Sequence, residues 1–167
     1  YTLWHTLSLH DALPICGYLY ENGDNIINSI LYLTGRKVRK VQAFTNNLGY
    51  KVDVLCSLSL LFEDGAVGSV AASGDSPLEW QELLIQGTRG AIRTDLTGNT
   101  VRYWSKKTEK EPEIGNQRTG VHENFINCIL GTECPPCDAR LGLAYSKIMD
   151  AVYRSAKEGR PVDIEKA

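Results

Sequence analysis

The chain has 167 residues, 43% hydrophobic and 23% charged, a balance that lets one globular domain bury a continuous core. A formal net charge of -2 with Lys and Arg scattered among acids leaves no basic stripe, which argues against nucleic acid as a partner. The longest apolar run, Leu58 to Phe62 interrupted by Ser59, is far short of the ~20 residues that cross a bilayer, so no membrane association is expected either.

The first stretch in chain order reads as foreign. His5 to Ile15, HTLSLHDALPI, resembles the conceptual translation of a common short-read sequencing adapter. Residues 1–16 are therefore expected to be non-native, with the native chain starting near Gly17 in a truncated gene. On that reading His5, His10 and Asp11 carry no function.

From Asn22 to Gly35, Ile26, Ile27, Ile30, Leu31 and Leu33 recur at helical spacing, with Asn22 or Asp24 as cap and Gly35 as terminator. Val38 to Thr45 alternates as a strand, and Asn46 to Gly49 reads as a loop. In the next strand Val54, Cys56, Leu58, Leu60 and Phe62 share one face and Ser57 and Ser59 the other. Glu63-Asp64-Gly65 is a hairpin signal, with Asp-Gly suited to a tight primed turn. Ala66 to Ser73 is its returning strand. Trp80 to Gln86, Ala91 to Asp95 and Thr100 to Trp104 continue the meander around a second turn at Gly87 to Gly90. One sheet face is small and polar (Ser57, Ser59, Ser69, Ala71), which suits packing against something flat. Lys106 to Gln117 is polar, holds Pro112 and Gly115, and reads as a mobile loop. Val121, Phe125, Cys128 and Ile129 then form one helical stripe ended by Gly131. Leu141, Ala144, Tyr145, Ile148, Val152 and Ser155 form another, between Asp138 as cap and Gly159 with Pro161 as terminators. Hairpins followed by helices predict an α+β fold: a largely antiparallel or mixed sheet with helices on one face.

Five cysteines in a chain without a charged-then-apolar leader point to a reducing cytoplasm. Cys134-Pro-Pro-Cys137 has redox or half-zinc spacing, but no second such pair and no His pair accompany it, and it reads as an incidental loop pair. No G-x-G-x-x-G, P-loop or G-x-S-x-G occurs, so no dinucleotide site is expected in this chain alone. That leaves the first helix as the reactive candidate. Asn22, Asp24 and Asn25 also suit a plain helix cap, and the residues alone leave both readings open. His122 is expected on the polar side of its helix, exposed. Tyr18 and Trp80 suit either a pocket or the core.

Gly17-Tyr-Leu19-Tyr-Glu21-Asn-Gly23-Asp-Asn25-Ile-Ile-Asn28 through Leu33-Thr34-Gly35 resembles the G-G-G-x-L-x-D-x-G-x-H-x-x-D…L-x-G segment of Gfo/Idh/MocA dehydrogenases. Leu61-Phe62-Glu-Asp-Gly65-Ala66-Val-Gly68, Ile85-Gln-Gly87-Thr-Arg-Gly90 and Met149-Asp-Ala151-Val-Tyr153-Arg-Ser155 through Val162 are similar to further stretches of that family, in the same order. The resemblance implies that residues 17–167 are a C-terminal substrate-binding and oligomerisation domain, with the N-terminal Rossmann domain absent from this sequence. It also implies hydride transfer from a sugar or cyclitol hydroxyl, inositol among them, to NAD or NADP held in the full-length protein, and homo-oligomers built through the open sheet face. No cofactor or metal ligand is expected in this chain.

The same resemblance puts Glu21 and Asn25 at the catalytic positions, where the family commonly has Asp and His, beside a Lys from the other domain. Asn22, Asn25 and Asn28 are expected to contact substrate. The chain departs from the pattern at these points: an amide has no accessible pKa near neutrality, so Asn25 can only donate and accept hydrogen bonds, and Asn28 lacks the charge of the family's Asp. A rival reading follows, in which the protein is a non-catalytic binding or scaffolding member.

Overall fold

The computed structural model describes residues 17–77, 81–96, 100–105, 108–110, 112 and 120–165. The segment read as foreign and Trp80 lie outside the described residues. In chain order the elements are α1 (Tyr18–Thr34), β1 (Val38–Asn46), β2 (Leu55–Phe62), β3 (Val67–Ser73), β4 (Glu82–Gly87), β5 (Gly90–Asp95), β6 (Val101–Ser105), β7 (Thr108–Lys110), α2 (Val121–Ile129), α3 (Ala139–Glu158) and β8 (Val162–Asp163). They fall into two units, one of residues up to 76 together with 139 onward, the other of residues 77–138.

The first unit holds a four-stranded antiparallel sheet in the order β3-β2-β1-β8. The expected alternation holds on β2 and just before it: Val54, Cys56, Leu58, Leu60 and Phe62 are all buried, while Ser57 and Ser59 are exposed. Register carries the pattern across the sheet, pairing Ala43 with Leu58 and Leu58 with Val70 on the inner face, and Ser59 with Ser69 and Ser57 with Ala71 on the outer one. α1 and α3 pack on the inner face. α1 contributes Leu19, Ile27, Ile30 and Leu31 and α3 contributes Ile148, Met149 and Val152. Each such side chain stabilises by about 1.5–3 kcal/mol through area removed from water.

Turn chemistry differs in one place. The Glu63–Gly65 hairpin is present, but Gly65 alone takes positive φ, at 87°. Gly65 N–H donates to the Phe62 carbonyl and Phe62 N–H to the Ala66 carbonyl, so three residues close the loop and a two-residue primed turn does not form. Asp64 Oδ1 accepts the Ala66 amide at 3.1 Å, which favours the longer closure.

Ser155 is fully buried in the apolar stripe of α3. Its hydroxyl accepts the Ala43 amide at 3.1 Å and donates to the Arg160 carbonyl at 2.7 Å. β8 pairs with β1 only at Lys40 and Val41, and beyond that point Ser155 takes up a strand donor that would be orphaned in the core. Gly159 ends α3 in the left-handed conformation, φ 66°, as expected.

The second unit is an antiparallel meander, β4-β5-β6-β7, plus α2. The loop expected over Lys106 to Gln117 is corrected at Thr108–Lys110, which pairs with β6 as an edge strand. Backbone pairing there is reinforced by an Arg102–Glu109 ion pair at 3.0 Å and by Lys110 Nζ 6.0 Å from the Tyr103 ring centroid. Most of the remainder of that loop lies outside the described residues. The stripe on α2 exists, with Val121, Phe125 and Ile129 exposed and Cys128 half-buried.

Candidate functional site

α1 begins four residues before the expected Asn22, and the reason is tertiary. Gly17 is the N-cap residue in extended conformation and offers no side-chain oxygen. Asp53, from the β1–β2 loop, does the capping instead. Its carbonyl accepts the Tyr18 amide at 2.9 Å and its Oδ2 the Leu19 amide at 2.9 Å, which satisfies first-turn donors and sets a carboxylate against the positive end of the helix dipole. Asn22 and Asp24, expected as caps, lie inside the helix, where Asp24 Oδ1 accepts the neighbouring Asn25 amide. The approach of Asp53 requires glycine at 17, since a Cβ there would fall 1.6 Å from Asp53 Oδ1.

Asp53 is 8% exposed, and its Oδ1 also accepts the Tyr153 hydroxyl of α3 at 2.8 Å. Three elements thus meet at one carboxylate. Burial, and then the bond to Asp53, push the Tyr153 phenol well above the ordinary tyrosine range, so it stays a donor. The neighbouring Cys56 thiol is pushed up to about 11 by burial and by the charge of Asp53. About two turns earlier on α3 the Tyr145 hydroxyl donates to the Tyr20 carbonyl at 2.8 Å, and the two rings lie 6.2 Å apart, tilted by 59°. The helix start, the β1–β2 loop and α3 enclose an open cleft of about 950 Å³ lined by Gly17, Tyr20, Asn46, Lys51, Asp53 and Tyr153, among others.

Glu21 and Asn25 are exposed. With 100° per residue they lie one above the other, and Asn28, two turns from Glu21, continues the same stripe. Asn22 is half-buried and lies about 100° round the helix from Glu21, so the structure does not bring it onto that stripe. None of the four lines the cleft, whose rim on α1 is Tyr20. Asn28 Oδ1 is buried without a hydrogen-bond partner. His122 is exposed, and Tyr18 is half-buried with its ring against Gly74. Sequence reasoning missed Asp53 and Tyr153. The only local hint was an acid between Val52 and Val54 just before a buried strand.

Among the described residues no group of three His, Cys, Asp or Glu side chains could hold a metal ion, and no helix is long and apolar enough to cross a membrane. Every strand pairing among the described residues is antiparallel.

Among the described residues, two antiparallel sheets and three helices define an α+β domain. Residues 10–164 match the Gfo/Idh/MocA "Oxidoreductase family, C-terminal alpha/beta domain", and the chain belongs to that family. Solved structures share the fold. The aldose-aldose oxidoreductase of Caulobacter crescentus, complexed with glycerol, is 24% identical with a TM-score of 0.80, over 94% of this chain and 50% of that one. The WlbA dehydrogenase of Bordetella pertussis, in complex with NADH and UDP-GlcNAcA, is 24% identical with a TM-score of 0.72, over 91% and 47%. An oxidoreductase of Agrobacterium radiobacter, in complex with NAD+, L-tartaric acid and magnesium, is 20% identical with a TM-score of 0.69, over 87% and 48%. The chain therefore spans about half the length of the solved structures it matches. No curated protein matches it by sequence.

Proposed function

We propose that this chain is the substrate-facing half of a cytoplasmic, nicotinamide-dependent dehydrogenase that oxidises a hydroxyl of a sugar or polyol. The observation that carries the reading is the exposed α1 stripe, with the Glu21 carboxylate and the Asn25 amide one turn apart beside a helix start clamped by Asp53. A hydroxyl must release its proton as its carbon releases hydride, so a base must stand within hydrogen-bond reach of it. NAD or NADP, when bound in the complete protein, supplies the hydride acceptor. On this reading the dinucleotide is held by an N-terminal Rossmann domain outside these residues.

Glu21 is the ionisable group on the stripe and accepts the hydroxyl proton, directly or in concert with a lysine of that other domain. Asn25 orients the hydroxyl through its amide donor and acceptor. Asn28, and Asn22 beside the stripe, serve as further substrate contacts. The outer face of the first sheet, with Ser57, Ser59, Ser69 and Ala71 exposed, is used for self-association.

Asn25 and Asn28 standing where the family has His and Asp, with Asn28 Oδ1 unsatisfied, favours a second reading: a non-catalytic binding or scaffolding subunit. The complete protein, assayed for NAD+ and NADP+ reduction over a panel of aldoses and cyclitols beside its Asn25→His variant, separates the two. Turnover by the unmodified protein supports the dehydrogenase. Turnover by the Asn25→His form alone supports the scaffold.

A further inference from the structure

The end of α2 and the segment that follows it in the second unit carry three thiols that the proposed chemistry leaves unused. After Ile129 the chain folds back on α2: the Thr132 and Glu133 amides both donate to the Asn127 carbonyl, at 2.9 and 3.3 Å, and Gly131 turns with φ 74°. Asn124 Nδ2 donates to Glu133 Oε2 at 2.6 Å, and the Cys128 thiol donates to Asn124 Oδ1 at 3.7 Å. Cys128 thus adjoins Asn127 on α2 and Cys134 adjoins Glu133 on the returning segment, so the reversal sets the two thiols on neighbouring stretches of chain. Both are free, Cys134 exposed and Cys128 half-buried. The Cys128 thiol is pushed above the ordinary thiol range by partial burial first, then by negative charge at Glu133 and at Cys134.

We propose that Cys134 and Cys128 form a disulfide in two steps, with Cys134 as the entry thiol and Cys128 as the resolving one, driven by a low-molecular-weight disulfide such as oxidised glutathione. The Cys134 thiolate attacks one sulfur of the oxidant, forming a mixed disulfide and releasing one small thiolate. The Cys128 thiolate then attacks the Cys134 sulfur and releases the second. Two protein thiols lose two electrons and two protons, and the small disulfide gains them as two thiols. Exposure sets the order, since the exposed sulfur meets the oxidant first. The like charge that the two thiolates would bring to the corner disappears when the bond forms, and the bond fastens the reversal at the end of α2. Cys137 is a bystander, although its spacing from Cys134 draws attention first.

The test is a thiol titration of the denatured chain after incubation with oxidised glutathione, with peptide mapping by cleavage after Glu133, which separates Cys128 from Cys134. Free thiols are expected to fall from five by two, with the Cys128 peptide linked to the Cys134 peptide. The Cys137→Ser variant should form the same link, and the Cys134→Ser variant should not. A stable mixed disulfide without the link, a bond between Cys134 and Cys137, or a link that survives Cys134→Ser each overturns the proposal. Residues 134 and 137 are both exposed, so neither substitution threatens the fold.

Discussion

Removing the Asp53 carboxylate strips partners from the Leu19 amide and the Tyr153 hydroxyl together. Hydrogen bonds to a buried charge are worth about 1.5–3 kcal/mol each, and an orphaned donor adds to the loss. Asp53→Ala should therefore lower stability by about 3 kcal/mol in urea unfolding, Tyr153→Phe by about half as much, and a loss under 1 kcal/mol in Asp53→Ala would show that the clamp is dispensable. Alkaline pH probes the same place. Because folding holds the Cys56 thiol protonated, with a pKa of about 11 against an ordinary 9.0, the folded chain keeps a proton that the unfolded chain gives up above pH 9. Stability from this group is intact below pH 9 and is lost as pH rises towards 11. The raised Tyr153 phenol acts in the same direction from pH 10 upward. Unfolding curves between pH 7 and 11 should show the fall beginning near pH 9, and Cys56→Ala should flatten that first part.

At the scale of elements, what period and turn chemistry express was legible and what contacts between distant residues decide was not. Alternation placed β2 and its buried face correctly because one residue in two faces the core on the side where α1 packs. Gly35 and Gly159 marked helix ends because each takes positive φ. The start of α1 was misplaced because its cap comes from a residue 34 positions away, and no local pattern encodes that. β7 and β8 were missed because strands of three and two residues are too short to show a period. Ser155 hid inside an apolar stripe for a related reason: its hydroxyl serves a strand 112 positions away. Ser155→Ala should cost about 2 kcal/mol, since the Ala43 amide is left buried and unpaired. Ser155→Thr adds a methyl to a fully buried site and should cost at least as much. Unfolding midpoints at constant slope check both, and a neutral Ser155→Ala would mean that water reaches the strand edge.

At the scale of the whole molecule, the family and the α+β class were readable before any coordinates, because the motifs of residues 17–164 keep their order along the chain. The candidate site was readable only in part. Glu21, Asn25 and Asn28 could be placed on one stripe from helical spacing, whereas the cleft at Tyr20, Asn46, Lys51 and Tyr153 needed the fold. Self-association through the outer sheet face has its own check: Ser59→Arg and Ser69→Arg together, directly opposite each other in register, should shift the complete protein to smaller species in sedimentation without unfolding it. Unchanged assembly would move the interface elsewhere. Whether α1 presents Glu21 to a reacting hydroxyl is decided by the turnover of Glu21→Gln in the complete protein on whichever sugar or cyclitol it oxidises. General-base catalysis is worth about 10²–10⁴ in rate, so kcat should fall by at least about 100-fold while the acid-side limb of the pH profile, where a carboxylate base is protonated, changes shape. A Glu21→Gln enzyme with wild-type kcat and pH profile would contradict the account.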